Sequence, residues 1–332
     1  MDSTFLVLEP GSFSTVQDAG RRGYQKLGVP LSGAADEYAF RLANLLAGNQ
    51  PNAAVLEMTL VGCTLAALKP AWVAVTGAEA EVRKHNRKMP TWSGFALDSG
   101  DVLRLDQARK GCRIYLAVAG GFDVPEVMAS RSTNIQAGFG GYKGRALRKG
   151  DFLSTGGQSR GAQVHSEVPP EFVPALSSKM VLRCLPGPQA EFFRSRGEEL
   201  FQSEYRVTTQ ADKRGIRLEG PRLHHASDSP GGVLSEPSLP GNIQVPGDGN
   251  PIVLLREQTV GGYAKVATVI SSDLWRLGQA APGDQIRFRA VDRETAVSLR
   301  VEMLRRLEEL EFRLQKEEAP PSTGKASQGS VR

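Results

Sequence analysis

The chain has 332 residues, of which 40% are apolar and 23% are charged, and its formal net charge is +5. This length suits two ordinary domains, and this composition is typical of a folded soluble protein. No run of about eighteen apolar residues occurs, so we predict no membrane-spanning helix and no membrane partner. The basic residues are scattered without a dense tract, so we also expect no nucleic-acid partner.

The start of the chain and its cysteines indicate a compartment. The first four residues, M-D-S-T, are unlike the start of a secretory signal peptide and lead into an apolar strand. The three cysteines, Cys63, Cys112 and Cys184, are widely spaced and form no C-x-x-C pair. This pattern is typical of reduced thiols and argues against a metal site. We therefore expect a cytoplasmic protein without a bound metal.

The first half of the chain predicts short strands and one helix. Apolar residues recur at helical spacing between Asp36 and Leu46, and Asp36 suits the helix N-terminus. Segments 14–24 and 28–36 are polar and glycine-rich, so we expect loops there. A parallel α/β sheet would need a helix between most strands, so we predict a mainly β fold of barrel type. The apolar runs that predict strands lie at 5–8, 55–60, 64–68, 72–76, 102–105 and 113–118.

The second half of the chain repeats part of this pattern. L-V-L-E-P-G at 6–11 resembles L-R-C-L-P-G at 182–187, and G-D-F-L at 150–153 resembles G-D-Q-I at 283–286. Two domains of related build would explain both matches, and chance similarity is the alternative for such short segments. The boundary is predicted in the Gly-, Ser- and Pro-rich segment 156–178. The predicted domains span 1–165 and 179–291.

The C-terminal part differs from the rest. From Asp292 onward, apolar residues follow helical spacing and charged residues fill the other face. We predict a helix over 292–318, capped by Asp292. Packing of this helix on its own domain is favoured over partner binding. The last segment, 319–332, is predicted to be a disordered tail.

Common catalytic signatures are absent from the sequence. It holds no phosphate-binding loop, no Rossmann glycine motif, no H-E-x-x-H zinc motif and no G-x-S-x-G nucleophile elbow. Cys63 lies in an apolar segment and is expected in the core. Residues 239–268 combine turns, a buried strand and the adjacent Gly261 and Gly262, which let another backbone approach closely. By itself, that stretch fits the rim of a site and an ordinary hairpin corner equally well.

A series of motifs between about residues 3 and 291 follows the order found in one known family. They are S-T-V-Q-D (14–18), R-x-G-Y (21–24), G-V-P-x-S-G-A-x-D (28–36), A-N-x-L-x-G-N (43–49), L-E-x-T (56–59), S-R-S-T (130–133), G-F-G-G (138–141), G-R-A-L (144–147), R-L-E-G (217–220), S-E-P (235–237), P-G (240–241), I-Q-V-P (243–246) and Q-T-x-G-G-Y (258–263). Together they resemble the biotin-dependent carboxyltransferase family. Its members include the subunit-C component of 5-oxoprolinase, allophanate hydrolase subunit 2 and an antagonist of a sporulation-kinase inhibitor.

The resemblance implies a fold, partners and a reaction. The fold is two cyclophilin-like β-barrel domains, in agreement with the mainly β pattern. The partners are a subunit-B-type paralogue and a subunit-A lactam hydrolase, and the complex uses ATP to hydrolyse 5-oxo-L-proline to L-glutamate.

Two alternatives follow from other members of the family. One is a carboxyltransferase subunit that moves a carboxyl group from carboxybiotin to urea or a related amide. Biotin would then come from another protein, because this chain lacks the M-K-M attachment sequence. The other is a non-catalytic antagonist that binds a subunit-B-type partner.

We expect this chain to supply half of a composite site. Arg131 is suited to bind a carboxylate, and an internal capping role for it is equally compatible. Gln244 and Gln258 can hydrogen-bond an amide or lactam, and the backbone amides of Gly261 and Gly262 can stabilise an oxyanion. The predicted catalytic residues are Arg131, Gln258, Tyr263 and Lys265, and the predicted substrate-binding residues are Gln17, Asp18, Ser132, Thr133, Gln244, Gly261 and Gly262. For Gln17 and Asp18, a role in fixing their own loop is the alternative.

Departures from the family pattern occur in two segments. The family sequence D-x-Q-T-T-G-G-Y reads R-E-Q-T-V-G-G-Y here, so Arg256 replaces an acidic residue and Val260 replaces a threonine. On a strand, Glu257 would face away from Arg256 and could not take over the acidic role. A family R-M-G reads K-R-G at 213–215, and Lys213 lacks the planar fork with which arginine binds carboxylates. These replacements predict a changed charge preference at the site.

Overall fold

The computed structural model describes residues 3–157, 163–230 and 232–316, so the tail predicted at 319–332 lies outside the described residues. The elements of the first half are β1 (Phe5–Glu9), β2 (Ser14–Gln17), α1 (Glu37–Leu46), β3 (Val55–Thr59), β4 (Thr64–Ala67), β5 (Ala71–Lys84), β6 (Arg87–Met89), β7 (Ser93–Leu97), β8 (Val102–Val118) and β9 (Phe152–Leu153). Those of the second half are β10 (Lys179–Pro186), α2 (Glu199–Gln202), β11 (Glu204–Ala211), β12 (Gly215–Glu219), β13 (Glu236–Pro237), β14 (Asn242–Val245), β15 (Ile252–Leu254), β16 (Val260–Gly261), β17 (Ala264–Val269), α3 (Leu274–Gly278), β18 (Gln285–Ala290) and α4 (Arg293–Lys316).

The first sheet is curled into a half-barrel. Over the described residues it has nine strands, with the main path β2-β3-β8-β4-β1-β9, and β5 pairs with β6, β7 and β8. The long strands β5 and β8 pair along much of their length. The sheet surrounds an apolar core in which Phe5, Leu56 and Leu116 are fully buried. Burial of this apolar surface is the main force that holds the sheet in its curled form.

Two sequence predictions are wrong for this sheet. Segment 14–17 is the strand β2 and not a loop, because its side chains are buried and its backbone pairs with β3. Segments 102–105 and 113–118 belong to one continuous strand, β8, of 17 residues. The polar middle of β8 is largely exposed, and its pairing with β5 shifts register there through β-bulges. The polar residues between 105 and 113 are therefore part of the strand and do not form a turn.

The second sheet closes into a barrel. Within the described part of the chain it has seven strands, in the order β10-β17-β14-β15-β12-β11-β18. Its core contains Leu182, Ile216 and Ile243, which are at most 1% exposed. The internal sequence match has a structural counterpart, since β9 pairs with β1 and β18 pairs with β10. The first of these pairs is antiparallel and the second is parallel, so the two sheets are not built identically.

Helices α1 and α4 pack together although they lie at opposite ends of the chain. Asp36 caps α1, as predicted, because its Oδ1 accepts a hydrogen bond from Ala39 N at 2.9 Å. Leu310 and Leu314 of α4 are fully buried in the apolar cluster that contains α1. The helix also contacts β10 and the turn Ser271–Asp273 of the second half, so it packs on its own domain and on the first half of the chain. The predicted mainly β fold, with two barrel-type sheets and a C-terminal helix, is confirmed.

The sequence predicted no membrane-spanning helix, and the helices of the structure can be compared with that prediction. In the parts of the chain that the structure describes, no helix has the length and apolar character needed to span a bilayer.

A buried ion pair connects the two sheets. Lys213, in the turn between β11 and β12, has its Nζ 3.0 Å from Oε1 of Glu57 on β3 and donates to Gly33 O at 2.7 Å. The other Glu57 oxygen accepts from Tyr115 Oη and from Ala35 N, both at 2.7 Å. Burial acts to raise the pKa of Glu57, but the neighbouring cations, Lys213 foremost, bring it below the ordinary value. The ionised carboxylate thus joins three segments of the first half to the barrel.

One glutamine makes a second buried connection. Gln279, just after α3, accepts hydrogen bonds from Cys112 N and Arg113 N on β8, both at 3.0 Å. Its Nε2 donates to Asp36 Oδ2 at 2.8 Å. Burial raises the pKa of Asp36 to about 6. The cap of α1 and the middle of β8 are therefore both fixed by a side chain from the second half of the chain.

Replacing Glu57 with Gln should lower the free energy of unfolding by about 3 kcal/mol, because Lys213 would be left buried without its counter-charge. The matched control is Glu204→Gln, which breaks the exposed pair with Arg287 on the barrel surface. Such an exposed pair contributes less than about 1 kcal/mol. Denaturant unfolding of the two variants measures the difference, and equal losses would contradict a stabilising role for the buried pair.

The stability of the wild type relative to Asp36→Asn should fall as the pH rises. The pKa of Asp36 is about 6 in the folded protein against an ordinary value of 3.8, so the folded state binds this proton more tightly. The stability that protonation contributes is complete below the ordinary pKa and is lost as the pH rises through the folded one. The expected loss is roughly 3 kcal/mol. Chemical denaturation of both proteins across this range tests it, and a constant difference would be the contrary result.

Candidate functional site

The predicted site residues fall into two groups, one on each sheet. In the first group, the Asp18 carboxylate is buried and accepts hydrogen bonds from Gly20 N at 2.8 Å and Ser130 Oγ at 2.7 Å. It also accepts from Arg131 N at 2.6 Å and Ser132 Oγ at 2.5 Å. These bonds use the acceptor capacity of Asp18. Asp18 and Ser132 therefore fix the loop after β2 to the segment that carries Arg131.

Gln17 and Thr133 belong to the same buried network. Gln17 Nε2 donates to Thr15 Oγ1 at 3.0 Å and to Thr133 O at 3.3 Å. Its Oε1 accepts from Gly33 N at 3.1 Å, and Thr133 Oγ1 donates to Val16 O at 2.9 Å. Gly33 is the residue whose carbonyl receives Lys213 from the barrel. These two side chains thus position the loop that contacts the barrel.

Arg131 is the accessible member of this first group, with 41% of its side chain exposed. Its Nε donates to Val124 O at 3.1 Å, and its Nη1 donates to Glu126 Oε2 at 3.3 Å. A guanidinium has five N–H donors, so several stay available to a ligand or partner. The structure is compatible with both interpretations from the sequence, an internal contact and a cation that binds a carboxylate.

The second group lines a cavity of about 530 Å³ on the barrel. Gln244, Gln258 and Tyr263 lie along it, together with Arg214 and Arg217. Gln258 Nε2 donates to the carbonyl of Val260, and Tyr263 is 48% exposed. Amide, phenol and guanidinium groups therefore meet at one open surface. That set can bind a small polar molecule with both donors and acceptors.

The two adjacent glycines have different surroundings in this region. A Cβ at Gly261 would lie 2.3 Å from Nε2 of Gln244, so only glycine allows β16 to approach that side chain. The carbonyl of Gly262 accepts from Val233 N at 3.0 Å. The two glycines therefore let the backbone of 261–262 lie close to Gln244 and bond to Val233, as the close backbone approach predicted from the sequence requires.

Lys265 lies beside this cavity and is buried. It is opposite Gln244 in the pairing of β14 with β17, and its Nζ donates to Glu236 Oε1. Gln189 Nε2 donates to the same oxygen at 2.8 Å. The ion pair thus orients Glu236, and Lys265 itself does not line the cavity.

The departures from the family pattern connect the two sheets. Arg256 donates through Nε to Ser32 O at 2.8 Å and through Nη2 to Ala19 O at 2.9 Å. It lies with Glu257 in a turn after β15, so the expectation that these two residues are part of a strand is wrong, although their side chains do have different surroundings. Lys213 binds Glu57 and Gly33. Both replacements therefore contact the first half of the chain.

A cleft of about 460 Å³ lies between the first sheet and the barrel. Segment 209–214 lines both this cleft and the barrel cavity. The sequence analysis considered Lys213 and Glu257 only as departures from the family pattern and gave no role to Arg113 at this junction. The signal of such buried charges in the sequence is a charge inside an apolar strand, as Glu57 in V-L-E-M-T and Arg113 in C-R-I-Y-L. The polar residues that line the cleft include Arg113, Asp212, Lys213, Arg214 and Glu257.

The thiols and metal-binding side chains add no chemistry of their own. Cys63 is fully buried, and burial raises its pKa to about 12, as suits a core residue. Cys112 and Cys184 are also buried, and none of the three forms a disulfide. Over the described ranges, no group of three or more His, Cys, Asp or Glu side chains is placed to hold a metal ion.

Several known proteins are similar to this chain in sequence. The family described as "Carboxyltransferase domain, subdomain A and B" matches residues 27–290. The subunit-C component of the Escherichia coli 5-oxoprolinase is 38% identical over 315 residues, which cover 94% of this chain and 99% of that protein. Urea amidolyase of Saccharomyces cerevisiae is 32% identical over 307 residues, which cover 88% of this chain and 17% of that protein.

A solved structure of a urea amidolyase has a similar fold. The urea amidolyase of K. lactis superimposes with a TM-score of 0.89 at 30% identity, over 93% of this chain and 20% of that one. This chain therefore spans about a fifth of the urea amidolyases and nearly the whole of the bacterial 5-oxoprolinase component. On these matches, the chain belongs to the family of carboxyltransferase domains that comprise subdomains A and B.

Proposed function

We propose that this chain is the subunit-C component of an ATP-dependent 5-oxoprolinase, which hydrolyses 5-oxo-L-proline to L-glutamate. The observation that carries the proposal is the match to the corresponding Escherichia coli component over 99% of that protein. The match therefore extends over nearly all of that component. The urea amidolyases are several times longer, so this chain corresponds to one part of them.

The barrel cavity supports a polar amide as the substrate. Gln244 and Gln258 each offer an amide donor and acceptor, which complement the N–H and C=O of a lactam. Arg214 and Arg217 can face the substrate carboxylate, although each is paired, with Asp212 and Asp248, at 2.7 Å. Backbone amides beside Tyr263 can stabilise the oxyanion that forms when the ring amide is attacked.

The open cavity and the exposed Arg131 support a site completed by other chains. We propose a subunit-B-type paralogue and a subunit-A lactam hydrolase as partners, in the cytoplasm. ATP supplies the energy for ring opening in the complex, and we assign no ATP contact to this chain. Arg131 does not line the barrel cavity, so it would bind an acidic group of a partner.

Carboxyl transfer to urea is the second candidate. The TM-score of 0.89 to the urea amidolyase of K. lactis favours it. Urea also offers N–H donors and a carbonyl acceptor, so the same glutamine side chains suit it. Biotin would arrive on another protein.

Co-expression with subunit-B-type and subunit-A-type proteins tests the proposal. ATP-dependent release of glutamate from 5-oxo-L-proline is the expected result. Carboxybiotin-dependent consumption of urea would favour the second candidate. Co-purification with the subunit-B-type protein, without turnover of either compound, would contradict both and indicate a non-catalytic binding role.

In the active complex, Gln258→Ala should lower kcat/KM about a hundredfold, the usual scale for loss of one hydrogen-bond donor to the reacting group. The matched control is Gln202→Ala, because Gln202 is exposed at the end of α2 and does not line the cavity. Steady-state kinetics on both variants provides the comparison. The same kcat/KM in Gln258→Ala and Gln202→Ala would remove Gln258 from the site.

A further inference from the structure

A small cavity lies where the loop after β2, helix α1 and the turn after β15 meet. Its volume is about 100 Å³, against about 530 Å³ for the barrel cavity. Sites for drug-sized molecules usually have about 300–1,000 Å³, so this cavity has room only for a small ion or chemical group. We call it the arginine cavity, and its polar lining residues are Arg22, Glu37, Arg41, Asn52 and Arg256.

Arg256 is held at the arginine cavity by its own hydrogen bonds. Its Nε donates to Ser32 O at 2.8 Å, and its Nη2 donates to Ala19 O at 2.9 Å. Both acceptors are neutral carbonyls, so these bonds fix the guanidinium without cancelling its charge, and they leave Nη1 available as a donor. The family pattern has an acidic residue at this position, so the resemblance implies no anion site here.

A second cation at the arginine cavity has no counter-ion. Arg22 is exposed, and no ion pair joins it to a carboxylate in the described part of the chain. Burial lowers the pKa of Arg256, and Arg22 acts in the same direction because the two charges are alike. A bound anion between these two side chains would relieve their repulsion.

The charge around the arginine cavity is positive even though Glu37 lines it. Oε1 of Glu37 lies 3.0 Å from Arg41 Nη2 and 3.3 Å from Arg300 Nη2. Burial acts to raise the pKa of Glu37, but Arg300 and Arg41 bring it below the ordinary value, so this carboxylate is ionised. With Arg22 and Arg256, four guanidinium groups against one carboxylate leave three positive charges in excess. This excess favours an anion with more than one negative charge.

The available donors suit a phosphoryl oxyanion. Guanidinium groups bind phosphate oxygens through charge-assisted hydrogen bonds, which are stronger than bonds between neutral groups. Asn52 adds a neutral donor, because its Oδ1 accepts from Ala19 N at 2.9 Å and its Nδ2 is left for a ligand. These donors come from three separate segments, so they can surround a tetrahedral anion.

We propose that the arginine cavity binds a phosphoryl oxyanion, held by Arg22, Arg256 and Asn52. The anion is inorganic phosphate or the terminal phosphoryl group of a larger molecule. When bound, it connects the loop after β2 to the turn after β15, and so the first half of the chain to the barrel. This site is independent of the proposed function, because it uses none of the residues assigned to the amide site.

Calorimetric titration of the full chain with inorganic phosphate, at an ionic strength held constant with chloride, tests this site. Arg22→Gln should weaken phosphate binding about tenfold or more, because a charge-assisted donor is lost. The matched control is Arg87→Gln, which removes the same charge from an exposed position on β6 that does not line the cavity. Its phosphate affinity should equal that of the wild type. Phosphate should also raise the Tm of the wild type, because it binds the folded state, and should raise that of Arg22→Gln much less.

Arg256→Gln should show the same loss of phosphate affinity. It also removes the bonds to Ser32 and Ala19, so its Tm without phosphate should fall. If Arg256→Gln does not fold, Arg22→Gln decides the question, because Arg22 is exposed and has no such bonds to the rest of the chain.

A parallel titration with AMP distinguishes the two sources of the anion. Tighter binding of AMP supports a terminal phosphoryl group, and tighter binding of phosphate supports the free ion. A wild-type chain that binds neither overturns the proposal, and so do equal affinity losses in Arg22→Gln and Arg87→Gln, which would indicate attraction by net charge alone. Turnover of 5-oxo-L-proline by the reconstituted complex is a separate measurement, so a failed phosphate titration leaves the proposed function intact.

Discussion

The ion pair between Lys213 and Glu57 is the contact on which the relation of the two sheets depends. Each sheet has its own apolar core, and a third apolar cluster joins α1 of the first half to α4 of the second. A buried pair is strongly destabilising when either partner is lost, which makes it sensitive to geometry. Gly33 and Tyr115 complete the hydrogen bonding around it. Together with the bonds from Arg256 to Ser32 and Ala19, this contact connects the loop after β2 to the barrel.

The contacts at this junction give a structural role to the two residues that depart from the family pattern. Arg256 and Lys213, which in the sequence predict a changed charge preference at the site, bond to carbonyls and a carboxylate of the first half of the chain. An arginine donates more N–H groups than the acidic residue that it replaces, and Arg256 uses two of them across the interface. Both side chains therefore help to join the two halves of this chain. They leave the amide groups of Gln244 and Gln258 at the barrel cavity.

The candidate site could be predicted in part. The motifs identified Gln244, Gln258 and Tyr263, and the fold brings them to one cavity. Sequence could not show that Asp18 and Ser132 use their hydrogen bonds on each other, because the partners come from segments far apart in the chain. It also could not show that Arg22 and Arg256 line one small cavity, since they come from opposite halves of the chain.

The sequence by itself determined the local features of this protein. The cap at Asp36, the apolar strands, the C-terminal helix and the ordered family motifs depend on residue type and spacing, which act over a few residues. Only the tertiary structure decided that β8 is one continuous strand, that α4 packs beside α1, and that Gln279 binds Asp36. Those contacts join segments from opposite halves of the chain. Their energy depends on mutual burial, which no local pattern contains.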